Sequence, residues 1–197
     1  MKCLIFYLTS KRALTAQSGG NIMNKEKILL RVSITFLFLL SLYFVEAGFC
    51  GSSVVAEYNN GFGTLDMKNY AVSDVRAALG GLNNKGIQIY KMYYVMDFLF
   101  VFFFGVFQTV MTCDLYAFMN SKRIRAIIIG ISVLRGLCDG VENSILLRTL
   151  FTFPEINEKA IAVSALFTQM KLWCVVGWIL LCIVGVICRI GNRIVKW

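Results

Sequence analysis

The chain has 197 residues, a formal net charge of +9 and no histidine; 58% of its residues are hydrophobic and 16% charged, with a mean hydropathy of +0.70. A soluble domain carries roughly 45–50% apolar and about 25% charged residues, so the class is integral membrane. Without imidazole, Ser-His-Asp and Cys-His catalysis, His-ligated zinc or haem and His proton shuttles are all excluded.

Residues 1–28 read as a basic, irregular leader, in which Met23 resembles a second bacterial start and Met1–Ile22 a start-site artefact. The first apolar run, Val32–Val45, extends back through Leu29 and Leu30 to spanning length. Its basic front and the Val45-Glu46-Ala47 stretch also fit a signal peptide, but a retained helix is expected.

Residues 48–91 are the only long polar stretch. Gly48–Tyr70 reads as turn-rich. Ser73 is the expected N-cap of a short helix with Val75, Ala78, Leu79 and Leu82 on one face, ended by Gly80-Gly81 and Asn83-Asn84. A segment this small cannot build an independent core, so it should lie as an outer cap on the membrane helices.

The second run is Tyr93–Cys113, with Tyr93 and Tyr94 suited to the headgroup interface. The third, Ile124–Leu150, follows Lys122 and Arg123 and carries Arg135, Asp139 and Glu142. After a loop with the only proline, Pro154, the fourth starts near Thr168 and reaches Cys188. The phenylalanines around Phe102–Phe104 are expected to face lipid and neighbouring helices.

The expected fold is therefore all-α integral membrane. Residues 29–190 form one four-helix transmembrane bundle, with a small extracytoplasmic cap between helices 1 and 2. Residues 191–197 form a basic tail. Twelve Lys and Arg fall on the N-terminal side of the membrane and seven on the other. The expected location is the cell membrane, multi-pass, with both termini cytoplasmic. The same bias accounts for the positive charge without nucleic acid. The seven cysteines include no CxxC pair, and among those beyond the leader only Cys50 sits in a polar segment.

Charges within a span cost ~2.5–3.5 kcal/mol each at a helix centre, so they need partners. Arg135 and Asp139 differ by about 40° around a helix, and Glu142 lies about 20° to the other side of Arg135. With Asn143 they form one polar stripe, and Asp97 and Lys171 reach the same outer half from neighbouring spans. This cluster is either a register-fixing clasp or a functional pocket. Asp97, Asp139 and Glu142 are the candidate metal ligands, although no cofactor is evident. Gly136 and Gly140 have the GxxxG spacing of close helix approach.

Leu65-Asp66 with Tyr70, Asp97, Asp139-Gly140-Val141-Glu142-Asn143, Pro154 and Lys171 resemble elements of uncharacterised small bacterial four-helix membrane proteins. Those proteins have an outer LDxxxxY segment and a DxxEN element in the third span. The resemblance covers roughly residues 30–190 and implies the fold, with Asp66 and Tyr70 in the outer cap. It implies no activity.

Three readings remain. The favoured one is a non-enzymatic scaffold, sensor or assembly protein. The others are a small ion or solute transporter working as an oligomer, and an intramembrane lipid-headgroup enzyme using Asp97, Asp139 and Glu142. The partners implied are the lipid bilayer and either a second copy or another membrane protein.

Overall fold

A computed structural model describes residues 20–65, 68–119 and 121–194. Asp66, the first 19 residues with Cys3, and the tail from residue 195 lie outside the described residues. The described secondary structure is entirely helical. The helices are α1 (Gly20–Glu46), α2 (Ser52–Tyr58), α3 (Val72–Gly80), α4 (Asn84–Leu115), α5 (Lys122–Thr152) and α6 (Glu158–Ile194).

The chain divides into two compact units, 1–33 and 34–197. In the first, the described residues 20–33 are helical, so the leader is not irregular up to residue 28. The second unit holds all the remaining elements.

Among the described residues three helical segments are long and apolar enough to cross a membrane: Lys25–Glu46, Asn84–Leu115 and Glu158–Gly191. α5 has 31 residues, ample length for a span, but is the helix that carries Arg135, Asp139 and Glu142. At 1.5 Å per residue α4, α5 and α6 are about 48, 46 and 55 Å long, well beyond a ~30 Å hydrocarbon core. The apolar runs thus mark only part of each helix: α4 begins nine residues before Tyr93, and α6 ten before Thr168.

The surplus length is where the core lies. Val55, Leu65, Tyr70, Val75, Ala78 and Leu79 pack with Tyr90, Tyr93 and Tyr94 of α4, Leu146 and Leu150 of α5 and Ile161 of α6. The segment after α1 therefore closes over the ends of three long helices, as its inability to build a core alone requires. Tyr93 and Tyr94 are buried beneath it rather than turned to an interface, and Tyr90 stacks on Tyr94 at 5.1 Å. Cys50 is buried too, despite its polar surroundings in sequence.

Local signals explain most of this segment. Ser73 is not the N-cap of α3; Ala71 is, and the Asp74 carboxylate accepts its backbone N–H at 2.7 Å. Gly80 ends the helix as expected. Asn83 then starts α4, its side chain accepting the Gly86 N–H at 2.8 Å. Gly86 is required there, since a Cβ would sit 2.8 Å from that of Tyr58. The stretch read as turns contains α2, followed by a loop in which Asn59 bonds the Gly63 backbone at both its N–H and its carbonyl. Gly63 has φ +75°, the left-handed region where glycine carries no Cβ penalty.

At the other end, Trp178 Nε1 donates to Thr112 Oγ1 at 2.8 Å, and the Tyr116 hydroxyl donates to the Leu181 carbonyl at 2.8 Å. Phe38 of α1 stacks on Phe107 at 4.4 Å. Outward from these contacts Phe36, Leu39, Phe102, Leu137, Leu180 and Ile187 remain exposed, the pattern of helices solvated by lipid.

Candidate functional site

The polar residues singled out in the sequence come together. Asp97, Arg135, Asp139, Glu142, Asn143 and Lys171 are each between 0% and 3% exposed. Asp97 and Lys171 each lie 13 residues inside their helices, α4 and α6. The cluster is thus about 20 Å from those ends.

Asp139 is the centre. Its Oδ2 accepts from Arg135 Nη1 at 2.9 Å, one turn back on α5. Its Oδ1 accepts from Lys171 Nζ at 2.9 Å, across on α6. The same ammonium lies 2.8 Å from Glu142 Oε2, so one lysine bridges two carboxylates. Arg135 also donates through Nη2 to the Val101 carbonyl at 3.0 Å and lies 4.2 Å from the centre of the Phe104 ring. Asn143 donates to Asp97 Oδ2 at 2.5 Å, which ties α4 to α5.

A second layer leads to the capping segment. Thr168 Oγ1 donates to Glu142 Oε1 at 2.6 Å. The Tyr70 hydroxyl lies 2.7 Å from Ser164 Oγ and donates to the same Glu142 oxygen at 3.5 Å. Burial pushes the Tyr70 hydroxyl up to about 12 from its ordinary 10.0, and the neighbouring Glu142 carboxylate acts in the same direction. Burial also raises the Cys50 thiol.

Sequence reasoning placed Tyr70 in the cap but did not connect it to the cluster. It missed Ser164, Thr168, Phe104 and the Val101 carbonyl. Ser164, Thr168 and Lys171 follow an i, i+4, i+7 spacing, which was the legible signal for a second polar stripe. Gly136 and Gly140 do not serve close packing inside the chain. A Cβ on Gly140 would meet nothing within 4 Å, and one on Gly136 only Val101, at 3.8 Å.

As a metal site the three acids fare poorly. Asp139 and Glu142 hold the Lys171 ammonium between them, while Asp97 faces Asn143. Among the described residues no three His, Cys, Asp or Glu side chains converge as metal ligands. Two surface grooves, one along α5 from Gly136 to Arg148 and one at Leu115, Val186, Arg189 and Ile190, include no cluster residue. No family model matches the chain, and no curated protein or solved structure matches it either.

Proposed function

We propose that this chain is a non-enzymatic multi-pass membrane protein, a scaffold or assembly partner, whose buried ion-pair clasp fixes the register of its helices. In this reading α5 is a span as well, the third of four. Both termini are cytoplasmic and the segment between α1 and α4 is the extracytoplasmic cap. One observation carries the reading. Lys171 stands where a bound cation would stand, 2.9 Å from Asp139 and 2.8 Å from Glu142. Carboxylates that hold an internal ammonium, inside a cluster at most 3% exposed, serve the fold before they serve a ligand. The bilayer is the first partner, and the exposed apolar faces of α1, α5 and α6 offer surface for another membrane protein.

The test is thermal melting of the detergent-purified protein with and without Ca²⁺, Mg²⁺ or Mn²⁺. The expected result is no cation-specific stabilisation in wild type and a lower melting temperature in Asp139→Asn. A cation-specific rise that disappears in Asp139→Asn overturns the structural reading.

A second reading, an ion or proton carrier working as an oligomer, is favoured by the cluster's charges. Three carboxylates face two cations, and one proton or one monovalent cation would balance them. Under it, proteoliposomes would show a cation flux that Asp97→Asn removes without unfolding the chain.

A further inference from the structure

We propose that the groove along α5 from Gly136 to Arg148 binds one phospholipid, with an acyl chain over the glycines and the phosphate on Arg148. The proposal rests on the reading of α5 as a membrane span.

The groove has a volume of about 460 Å³. Its lining comes from α5 alone and includes Gly136, Leu137, Gly140, Val141 and Ser144. Internal packing does not explain the glycines, because a side chain at Gly140 would enter open space. Ser144 makes no polar demand on an occupant, because its hydroxyl donates to the Gly140 carbonyl at 2.6 Å. An acyl chain therefore fits its chemistry.

The end of the groove supplies the headgroup site. The Arg148 side chain is exposed and makes no hydrogen bond, ion pair or ring contact with another described residue. One turn on, Lys91 lies 4.1 Å from the centre of the Phe151 ring, a second cation at the same end of the helix. From Gly136 to Arg148 is about 18 Å along the axis, the depth of one ~15 Å leaflet plus a headgroup. Measured from Arg125, Arg148 lies about 34 Å away, just past the ~30 Å core. An arginine at that depth is matched by a phosphate, which it can hold in a bidentate charge-assisted pair. Charge also decides against a second copy. Two chains of the same topology pair in parallel, which would bring their two Arg148 side chains to one depth in one interface.

The experiment is native mass spectrometry of the full chain in maltoside detergent. The protein is titrated with dioleoylphosphatidylglycerol and, separately, with dioleoylglycerol, which has the same chains without phosphate. Wild type should hold one phosphatidylglycerol about tenfold more tightly than the diacylglycerol, the lower end of what a charge-assisted hydrogen bond gives. Arg148→Gln should remove that preference and leave diacylglycerol binding unchanged. Gly140→Leu, which fills open space, should weaken both lipids while the melting temperature holds. Lipid binding indifferent to Arg148→Gln overturns the proposal, and so does a dimer lost in Gly140→Leu, which would assign the groove to a second copy. Alkaline carbonate extraction separates the two levels. A chain washed from membranes fails the spanning reading and the groove with it. A chain that stays in membranes, with lipid binding untouched by Arg148→Gln, fails the groove alone.

Discussion

Asp139 and Lys171 close a 2.9 Å ion pair between α5 and α6 with both side chains shut off from solvent. The pair changes what single substitutions should do. Arg135 is the other cation on Asp139, so Arg135→Leu leaves that carboxylate still paired with Lys171. Asp139→Leu instead strips one partner from two buried cations. Breaking a buried pair from one side costs about 3–5 kcal/mol, while replacing both sides by apolar groups is often neutral. In detergent melts Asp139→Leu should therefore be the more damaging single change. Arg135→Leu with Asp139→Leu should recover part of that loss, because Lys171 keeps Glu142. A strictly additive double variant would show that the two residues are not coupled.

How much of this was legible follows from contrast. An arginine, an aspartate and a glutamate inside an apolar run are costly against lipid, so the spacing of Arg135, Asp139 and Glu142 already implies a shared buried face. Asp97 and Lys171 were found for the same reason. Ser164 and Thr168 were not, because hydroxyls are unremarkable in either a helix or a loop. The fourth apolar run starts near Thr168, ten residues after α6 begins, so Ser164 falls outside it. Hydropathy marked the lipid-facing stretches and missed the helix ends covered by protein. For that reason Tyr93 and Tyr94 read as interface anchors but are buried by the segment above them. α2 escaped notice because the glycines around it outweighed its own Ser52–Tyr58 sequence.

The burial of Cys50 alters how topology should be probed. An impermeant maleimide should label native Cys50 slowly even if its side of the membrane is accessible. On a cysteine-free background, Glu57→Cys and Lys122→Cys place exposed thiols on the capping segment and at the start of α5. Intact cells should label Glu57→Cys, and Lys122→Cys should react only after lysis. The opposite pattern would invert the orientation.

The loop after α2 depends on one side chain. Asn59 is 1% exposed, donates to the Gly63 carbonyl at 2.7 Å and accepts its N–H at 2.9 Å. Asn59→Ala removes both bonds and leaves two backbone groups without that partner, a loss of about 1–3 kcal/mol. Hydrogen exchange should rise first in residues 60–65 and at the Leu65 N–H, which donates to the Tyr90 hydroxyl at 3.2 Å. Unchanged exchange there would mean that the loop is held by its glycine backbone alone.

Tyr70 joins the capping segment to the cluster, and its titration should reveal the joint. Its hydroxyl is raised from 10.0 to about 12, first by burial and then by Glu142. A raised folded value means that the folded state holds the proton more tightly than the unfolded state. The contribution to stability is then complete below pH 10 and is lost as pH climbs from 10 to about 12. Two units correspond to about 2.7 kcal/mol at most. Tyr70→Phe has no proton to lose. At pH 8 the variant should be less stable by about 1 kcal/mol, the value of its lost hydrogen bond to Ser164. As pH rises toward 12 the gap should close and reverse, because only wild type must then either hold a proton against the solution or bury a phenolate beside Glu142. Detergent melts of both proteins across that range decide it, with the difference between them cancelling the titration of lysines and other tyrosines. Parallel curves would show that the Tyr70 hydroxyl is solvated and that the capping segment is not latched through it.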